Sequence, residues 1–263
     1  LPTTRTNQTP LKKSFLLLKV LAENGRPMSA PDLGVQLGMT RQTIHRLLQQ
    51  LEAIGMVRRS IERERFEVGP ALAELGLNSL ITNQTAKFRR AVMEQLVEKI
   101  GETCNLAILD GHEIVYVDRV ECNWPLRRII EVGSRMPAYC TASGKLLLAH
   151  LPARTLEQYL SSVTLERFTD TTWTDPDRFR QHLAQIRHQG YSINDGEDLE
   201  GLLGVSVPVC DPSGRLLAGL AMHGPVVRLP EDRARAIVPD INAAADAIGD
   251  LLVETTVRRF AAS

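Results

Sequence analysis

Apolar residues recur at helical spacing through the first fifty positions, and the period then shortens. Leu11 to Glu23 sets Phe15, Leu18 and Leu21 or Ala22 on one side and stops at Asn24-Gly25, which predicts a first helix. Ser29, an N-cap residue with Asp32 three positions on, opens a short second helix whose apolar face is Leu33 and Leu37 and whose pattern breaks at Gly38. Thr40 can cap a third helix, and Met39 before it can pack on Ile44 as a hydrophobic staple. Ile44, Leu47, Leu48 and Leu51 make one stripe. The other face carries Gln42, Thr43, Arg46 and Gln49, with Arg41 and His45 at its margins and no acidic residue between Thr40 and Leu51. After Gly55, apolar Val57, Phe66 and Val68 fit two short strands around a charged tip, which Arg58, Arg59, Arg63 and Arg65 make basic.

From Pro70 the helical period returns through Leu72, Leu75, Leu77, Leu80 and Ile81, is interrupted at Thr82-Asn83-Gln84-Thr85, and resumes with Val92, Leu96 and Ile100. Strands then alternate. Thr103 to Leu109 and Glu113 to Asp118 flank the turn Asp110-Gly111, and Leu126 to Val132 reads as a third strand. Helices are predicted from about Ala142 to His150, capped by Thr141, and from Asp175 to Gln189 on a stripe of Phe179, Leu183 and Ile186. Strands Gly204 to Val209 and Arg215 to Met222 precede a long last helix with Ile237, Ile241, Ala245, Ile248 and Leu252. The class is α+β, with a mixed-topology sheet and helices around it.

Charge changes this picture. The 263 residues have a formal net charge of +0, but residues 1–69 hold eleven Lys and Arg against six Asp and Glu, a balance of +5 that the remainder cancels. A basic first third with an acid-free polar helix and a basic hairpin is the pattern of a winged helix-turn-helix facing phosphate. Thr40, Arg41, Gln42, Thr43, His45, Arg46, Arg58, Arg59, Arg63 and Arg65 are the candidate DNA contacts, since such side chains bond base edges and phosphates. No apolar run reaches membrane-spanning length, and no signal-peptide core follows the start, so a cytoplasmic protein is expected. Cys104, Cys122, Cys140 and Cys210 form no C-x-x-C pair and read as buried reduced thiols, so no metal site or cofactor is predicted.

The segments Pro31-Asp32-Leu33-Gly34-Val35-Gln36-Leu37-Gly38-Met39, Thr43-Ile44-His45-Arg46-Leu47-Leu48 and Phe66-Glu67-Val68-Gly69 resemble the DNA-binding domain of the isocitrate-lyase-regulator (IclR) family of bacterial transcription factors. The resemblance extends through Gly101 to Ala107, Val115 to Val120, Val132 to Pro137, Cys140 to Lys145, Gly190-Tyr191 and His223-Gly224-Pro225. It implies a winged helix-turn-helix over 1–69, a linker helix over 70–84 and a GAF-like effector-binding domain over 85–263. It also implies self-association as a dimer or tetramer on a palindromic double-stranded operator. By the same resemblance the effector pocket falls at Arg128, Met136, Ala142, Ser143, Asn194, Leu202, Gly204, Ala221 and His223. Several of these depart from the family pattern. His223 and Ala221 stand where serines are usual, Asn194 where an acid is usual, and Arg128 where an apolar residue is expected.

The helix start at Ala142 favours an anion. An inward Arg128 would need one too, supplied by an effector carboxylate or by an acid of the chain such as Asp195 or Glu197. Trp124 and Tyr139 could add aromatic walls. The expected effector is a small organic acid, an aromatic or hydroxylated aromatic carboxylate of a catabolic pathway, with an uncharged hydrophobic compound as the alternative. A hydrolase built on the sensor domain is the rival class. Against it, Gly144-Lys145 is followed by Leu146 where a P-loop needs Ser or Thr, and no G-x-S-x-G elbow is present. No catalytic residue is assigned.

Overall fold

The chain divides into two units, Leu1–Leu80 and Ile81–Ser263. A computed structural model gives the fold of residues 9–24, 26–60, 64–82, 84–125 and 130–260, with side chains described except over 77–85 and 252–260.

The first unit runs α1 (Pro10–Asn24), β1 (Met28–Ser29), α2 (Ala30–Leu37), α3 (Arg41–Ala53), β2 (Val57–Arg59), β3 (Arg65–Val68) and α4 (Pro70–Thr82), the last crossing into the second unit. Ser29 caps α2, accepting the Asp32 N–H at 3.3 Å while donating to the Asp32 carboxylate at 2.7 Å. Gly38 ends that helix in the left-handed region at φ 61°, a conformation that costs glycine nothing and lets the chain turn sharply into α3. Thr40 Oγ1 then accepts the Thr43 N–H at 3.4 Å. The strands pair antiparallel in the order β1-β3-β2, with Val57 opposite Val68. Leu17, Leu21, Leu33, Ile44, Leu47, Leu48, Leu51, Val57 and Phe66 form the core, and Met39 packs against it. The face of α1 differs from expectation. Leu17 and Leu21 are buried, whereas Phe15 is 54% exposed. Leu16, Leu17 and Leu18 put apolar groups around most of this helix, so spacing alone did not choose the buried side.

The second unit runs α5 (Gln84–Ile100), β4 (Thr103–Asp110), β5 (Glu113–Val120), β6 (Arg135–Pro137), a 3-10 turn (Ala138–Cys140), α6 (Ala142–Ala149), α7 (Ala153–Ser162), α8 (Pro176–Gln189), β7 (Ser192–Asp195), β8 (Leu202–Cys210), β9 (Leu216–Pro225), α9 (Glu231–Ala236) and α10 (Val238–Phe260). Its six strands are ordered β6-β5-β4-β9-β8-β7. Every pairing is antiparallel, which corrects the mixed topology read from the sequence; each adjacent strand returns through a hairpin or a longer excursion on the same sheet. The predicted third strand is also corrected. Residues 126–129 lie outside the described residues, 130–132 are not in a strand, and the edge strand is Arg135–Pro137 instead. The helix α7 and strand β7 were not anticipated.

Helices cover both faces of this sheet. α6 packs on β4, β8 and β9 with α8 behind it, and α5 and α10 take the other side. Strand β5 shows the division: Asp118 turns to Arg89 of α5 at 2.8 Å, while the next residue, Arg119, turns to Asn105 on the α6 side.

Candidate functional site

In the first unit the polar face of α3 is presented as expected. Arg41, Gln42, His45, Arg46 and Gln49 are exposed, and the stripe beneath them is buried. Thr40 and Thr43 bond one another through their hydroxyls at 2.9 Å, so both serve the helix start. The hairpin arginines are held within the unit. Arg58 pairs with Glu67 at 2.8 Å, Arg59 pairs with Glu52 at 3.0 Å and lies over the Phe66 ring, and Arg65 donates to the Pro27 carbonyl at 3.2 Å. These exposed contacts are weak enough to be exchanged for phosphate. Arg63 lies outside the described residues.

The second unit contains a narrow cavity of about 30 Å³ at the start of α6. It is built where strands and helix meet. Asn105 from β4, Gly204 from β8, and Ala221 and His223 from β9 share the sheet face that α6 covers, and Ser143 Oγ lies 3.3 Å from Ser206 Oγ. Thr141 caps the helix: its Oγ1 accepts the Gly144 N–H at 3.1 Å and its carbonyl the Lys145 N–H at 2.9 Å. Ala142 and Ser143 hold the first two helical positions, whose N–H groups have no carbonyl partner within the helix. That end of α6 can receive an anion.

Of the residues the sequence pointed to, Ala142, Ser143, Asn194, Leu202, Gly204, Ala221 and His223 all line this cavity. Asn194, however, is already engaged: its amide donates to the Cys140 carbonyl at 2.9 Å and to Asp198 at 2.7 Å, and its oxygen accepts the Glu197 N–H at 2.8 Å. It shapes the wall. Met136 and Tyr139 pack in the hydrophobic cluster beneath α6, with the Tyr139 hydroxyl donating to the Glu166 carbonyl at 3.0 Å. Trp124 is half exposed under the Arg228 guanidinium, in a separate groove with Glu94 and Val97. Arg128 lies outside the described residues. Asn105, Tyr116, Asp198 and Thr141 line the cavity without having been singled out for it.

The loop after β7 is fastened to α6 from within. Lys145 is fully buried and reaches Glu197, the Ile193 carbonyl at 2.6 Å and His182 Nε2 at 3.2 Å. Among the described residues no three His, Cys, Asp or Glu side chains are grouped to hold a metal, and no helix is long and apolar enough to cross a membrane.

The helix-turn-helix domain of the IclR family matches residues 10–60, and the C-terminal domain of the bacterial transcriptional regulator IclR matches residues 79–250. The chain belongs to the IclR family. Its relatives include the probable transcriptional regulator SauR of Cupriavidus necator, 38% identical over 89% of this chain and 93% of that protein. The IclR crystal structure from Thermotoga maritima is 28% identical and superposes with a TM-score of 0.61 over 91% of this chain and 96% of that one. A double mutant of the inducer-binding domain of PobR from Acinetobacter, solved in complex with 3-hydroxybenzoic acid, is 26% identical with a TM-score of 0.59, covering 63% of this chain and 97% of that domain. This IclR-family chain is therefore a ligand-responsive, DNA-binding transcriptional regulator and not an enzyme.

Proposed function

We propose that this regulator binds a small organic acid in the cavity at the start of α6, and that binding alters its hold on a palindromic operator met as a dimer or tetramer in the cytoplasm. The observation that carries the reading is the first turn of α6 opening onto a cavity lined by Asn105, Ser143 and His223. Such a helix start favours negative charge. In the finer form of the proposal the acid is an aromatic or hydroxylated aromatic carboxylate of a catabolic pathway. The 3-hydroxybenzoic acid held by the double mutant of the related PobR domain supports this, and Tyr116, Ile130 and Leu202 would flank the ring. The volume of about 30 Å³ favours a second form, a short aliphatic acid, because a space of that size has room for a few small groups and a ring must displace the wall.

A thermal-shift panel of aromatic and short aliphatic carboxylates tests both. Ligand at 100 times its dissociation constant adds about 2.7 kcal/mol, enough to move the midpoint by several degrees. An acid that raises the midpoint and changes operator retention is the expected result. No response to any acid, with a response to neutral apolar compounds, would overturn the proposal.

A further inference from the structure

Three buried side chains on adjacent strands are joined end to end beside the cavity. Arg119 of β5 donates from Nη1 to Asn105 Oδ1 of β4 at 2.8 Å, and the Asn105 amide nitrogen lies 2.6 Å from His223 Nδ1 of β9. Arg119, Asn105 and His223 are 5%, 2% and 8% exposed. A guanidinium has only hydrogens to offer, so it fixes the carboxamide with its oxygen towards Arg119 and its nitrogen towards His223. That nitrogen is a donor, so Nδ1 must accept; a hydrogen on Nδ1 would point at the amide hydrogens. An imidazole with a bare Nδ1 carries its hydrogen on Nε2.

We propose that Arg119 and Asn105 form a relay that holds His223 with its hydrogen on Nε2, so that His223 meets the effector as a donor and the cavity selects an oxygen acceptor at that point. The proposal rests on the reading of this cavity as the effector site. A histidine free to change tautomer would accept from a ligand hydroxyl as readily as it donates to a carboxylate; the relay removes that choice. With the N–H groups of Ala142 and Ser143 added, the cavity presents donors from both the sheet and the helix. A carboxylate or keto oxygen answers them, whereas an amidine sets donor against donor. Arg119 and Asn105 are positioning residues, acting through His223.

The test uses the full chain labelled with ¹⁵N-histidine, without ligand. Long-range ¹H–¹⁵N correlation reads which ring nitrogen holds the hydrogen, and His223→Gln assigns the signal by its loss. A single Nε2–H pattern at neutral pH is expected; an Nδ1–H pattern or a doubly protonated ring overturns the proposal. In Arg119→Met the Asn105 amide is free to turn, so both tautomers are expected, and a pure Nε2–H pattern in that folded variant overturns the relay. Should Arg119→Met fail to fold, Asn105→Asp serves instead. Its carboxylate accepts from both neighbours, Nδ1 gains a hydrogen, and an unchanged pattern overturns the proposal. Benzoate with benzamidine and acetate with acetamidine form the ligand arm. The acid of at least one pair is expected to raise the wild-type midpoint, neither amidine is, and acid affinity is expected to fall at least tenfold in Asn105→Asp. Acids without effect on a protein whose His223 holds Nε2–H would sink the effector reading and leave the relay standing. An acid that binds a protein with Nδ1–H would overturn the relay alone.

Discussion

Lys145 is fully buried on α6, and its ammonium has three hydrogens and three acceptors: Glu197, the Ile193 carbonyl and His182 Nε2. Burial pulls the Lys145 pKa down and pushes that of Glu197 up, and each charge partly offsets the shift of the other. The third acceptor bears the consequence. Burial, then the charge of Lys145, pushes His182 down to about 4. Its folded value is below its unfolded one, so between roughly pH 6.5 and 4 the unfolded chain binds the extra proton and stability falls as pH falls. Denaturant unfolding at pH 7 and pH 5 should show wild type losing on the order of 1–2 kcal/mol more than His182→Gln, after allowance for solvent screening. Equal losses would mean that Lys145 does not depend on the neutral ring. In the helix-turn-helix domain, Arg46 is exposed on α3 in the middle of an acid-free face. Arg46→Ala should cost about 1–3 kcal/mol at the operator and relax base preference, read by titration against sequence variants. An equal loss on every sequence would place Arg46 on the phosphate backbone.

Two glycines at element junctions are required for opposite reasons. Around Gly38 nothing lies within 4 Å of a Cβ, but φ is +61°, so the cost of a side chain is conformational. Gly38→Ala should lose about 1 kcal/mol and Gly38→Asn less, by denaturant unfolding. Gly144 has ordinary helical geometry, but a Cβ there would stand 2.1 Å from the Ala138 carbonyl oxygen, part of a backbone turn that cannot step aside. Gly144→Ala should cost about 3 kcal/mol or more, with loss of effector response, because α6 must leave the cavity wall to relieve the clash. A fully stable variant would mean that the 3-10 turn can move. At this scale α2, α3 and α6 were legible in the sequence with their caps, because Ser29, Thr40 and Thr141 are N-cap residues ahead of the helices, whereas α7 was not read and Asp175 was placed inside α8 rather than at its cap. The cavity was legible in part, through the segments that carry the family resemblance. Arg119 and Asn105 were not, and the reason is a register shift: Leu106 faces Asp118 but Ala107 faces Tyr116, which leaves Val117 as an extra residue. That bulge brings Tyr116 and Arg119, three positions apart, to the same face, where strict alternation would separate them. Nothing in the local sequence marks it.

For the whole molecule, a net charge of +0 conceals a balance of +5 in residues 1–69, the segment that contains the helix-turn-helix domain. If net charge governed association, operator binding would be nearly indifferent to salt. If the basic unit meets phosphate directly, the logarithm of affinity falls with the logarithm of salt by about 0.9 for each phosphate neutralised, so six contacts lose roughly a thousandfold between 50 and 200 mM. The steep slope is expected. The effector adds a further condition. The proposed cavity is lined, among the described residues, by residues of the second unit, whereas the proposed phosphate contacts belong to the first, so on this reading the two ligands share no contact residue and communicate by shifting populations. An effector that makes the binding-competent state rarer lowers operator affinity, yet the complexes that do form keep the same phosphates. The expected outcome is therefore a pair of parallel lines: affinity changed by about 5- to 150-fold at every salt concentration, with the slope untouched. Linkage then demands that saturating operator DNA change effector affinity by the same factor. Fluorescence anisotropy across the salt series, with and without effector, supplies the first measurement, and calorimetry with and without operator the second. A slope that flattens by about 0.9 or more would show that the effector strips individual phosphate contacts instead, and that the liganded regulator binds DNA in a different pose.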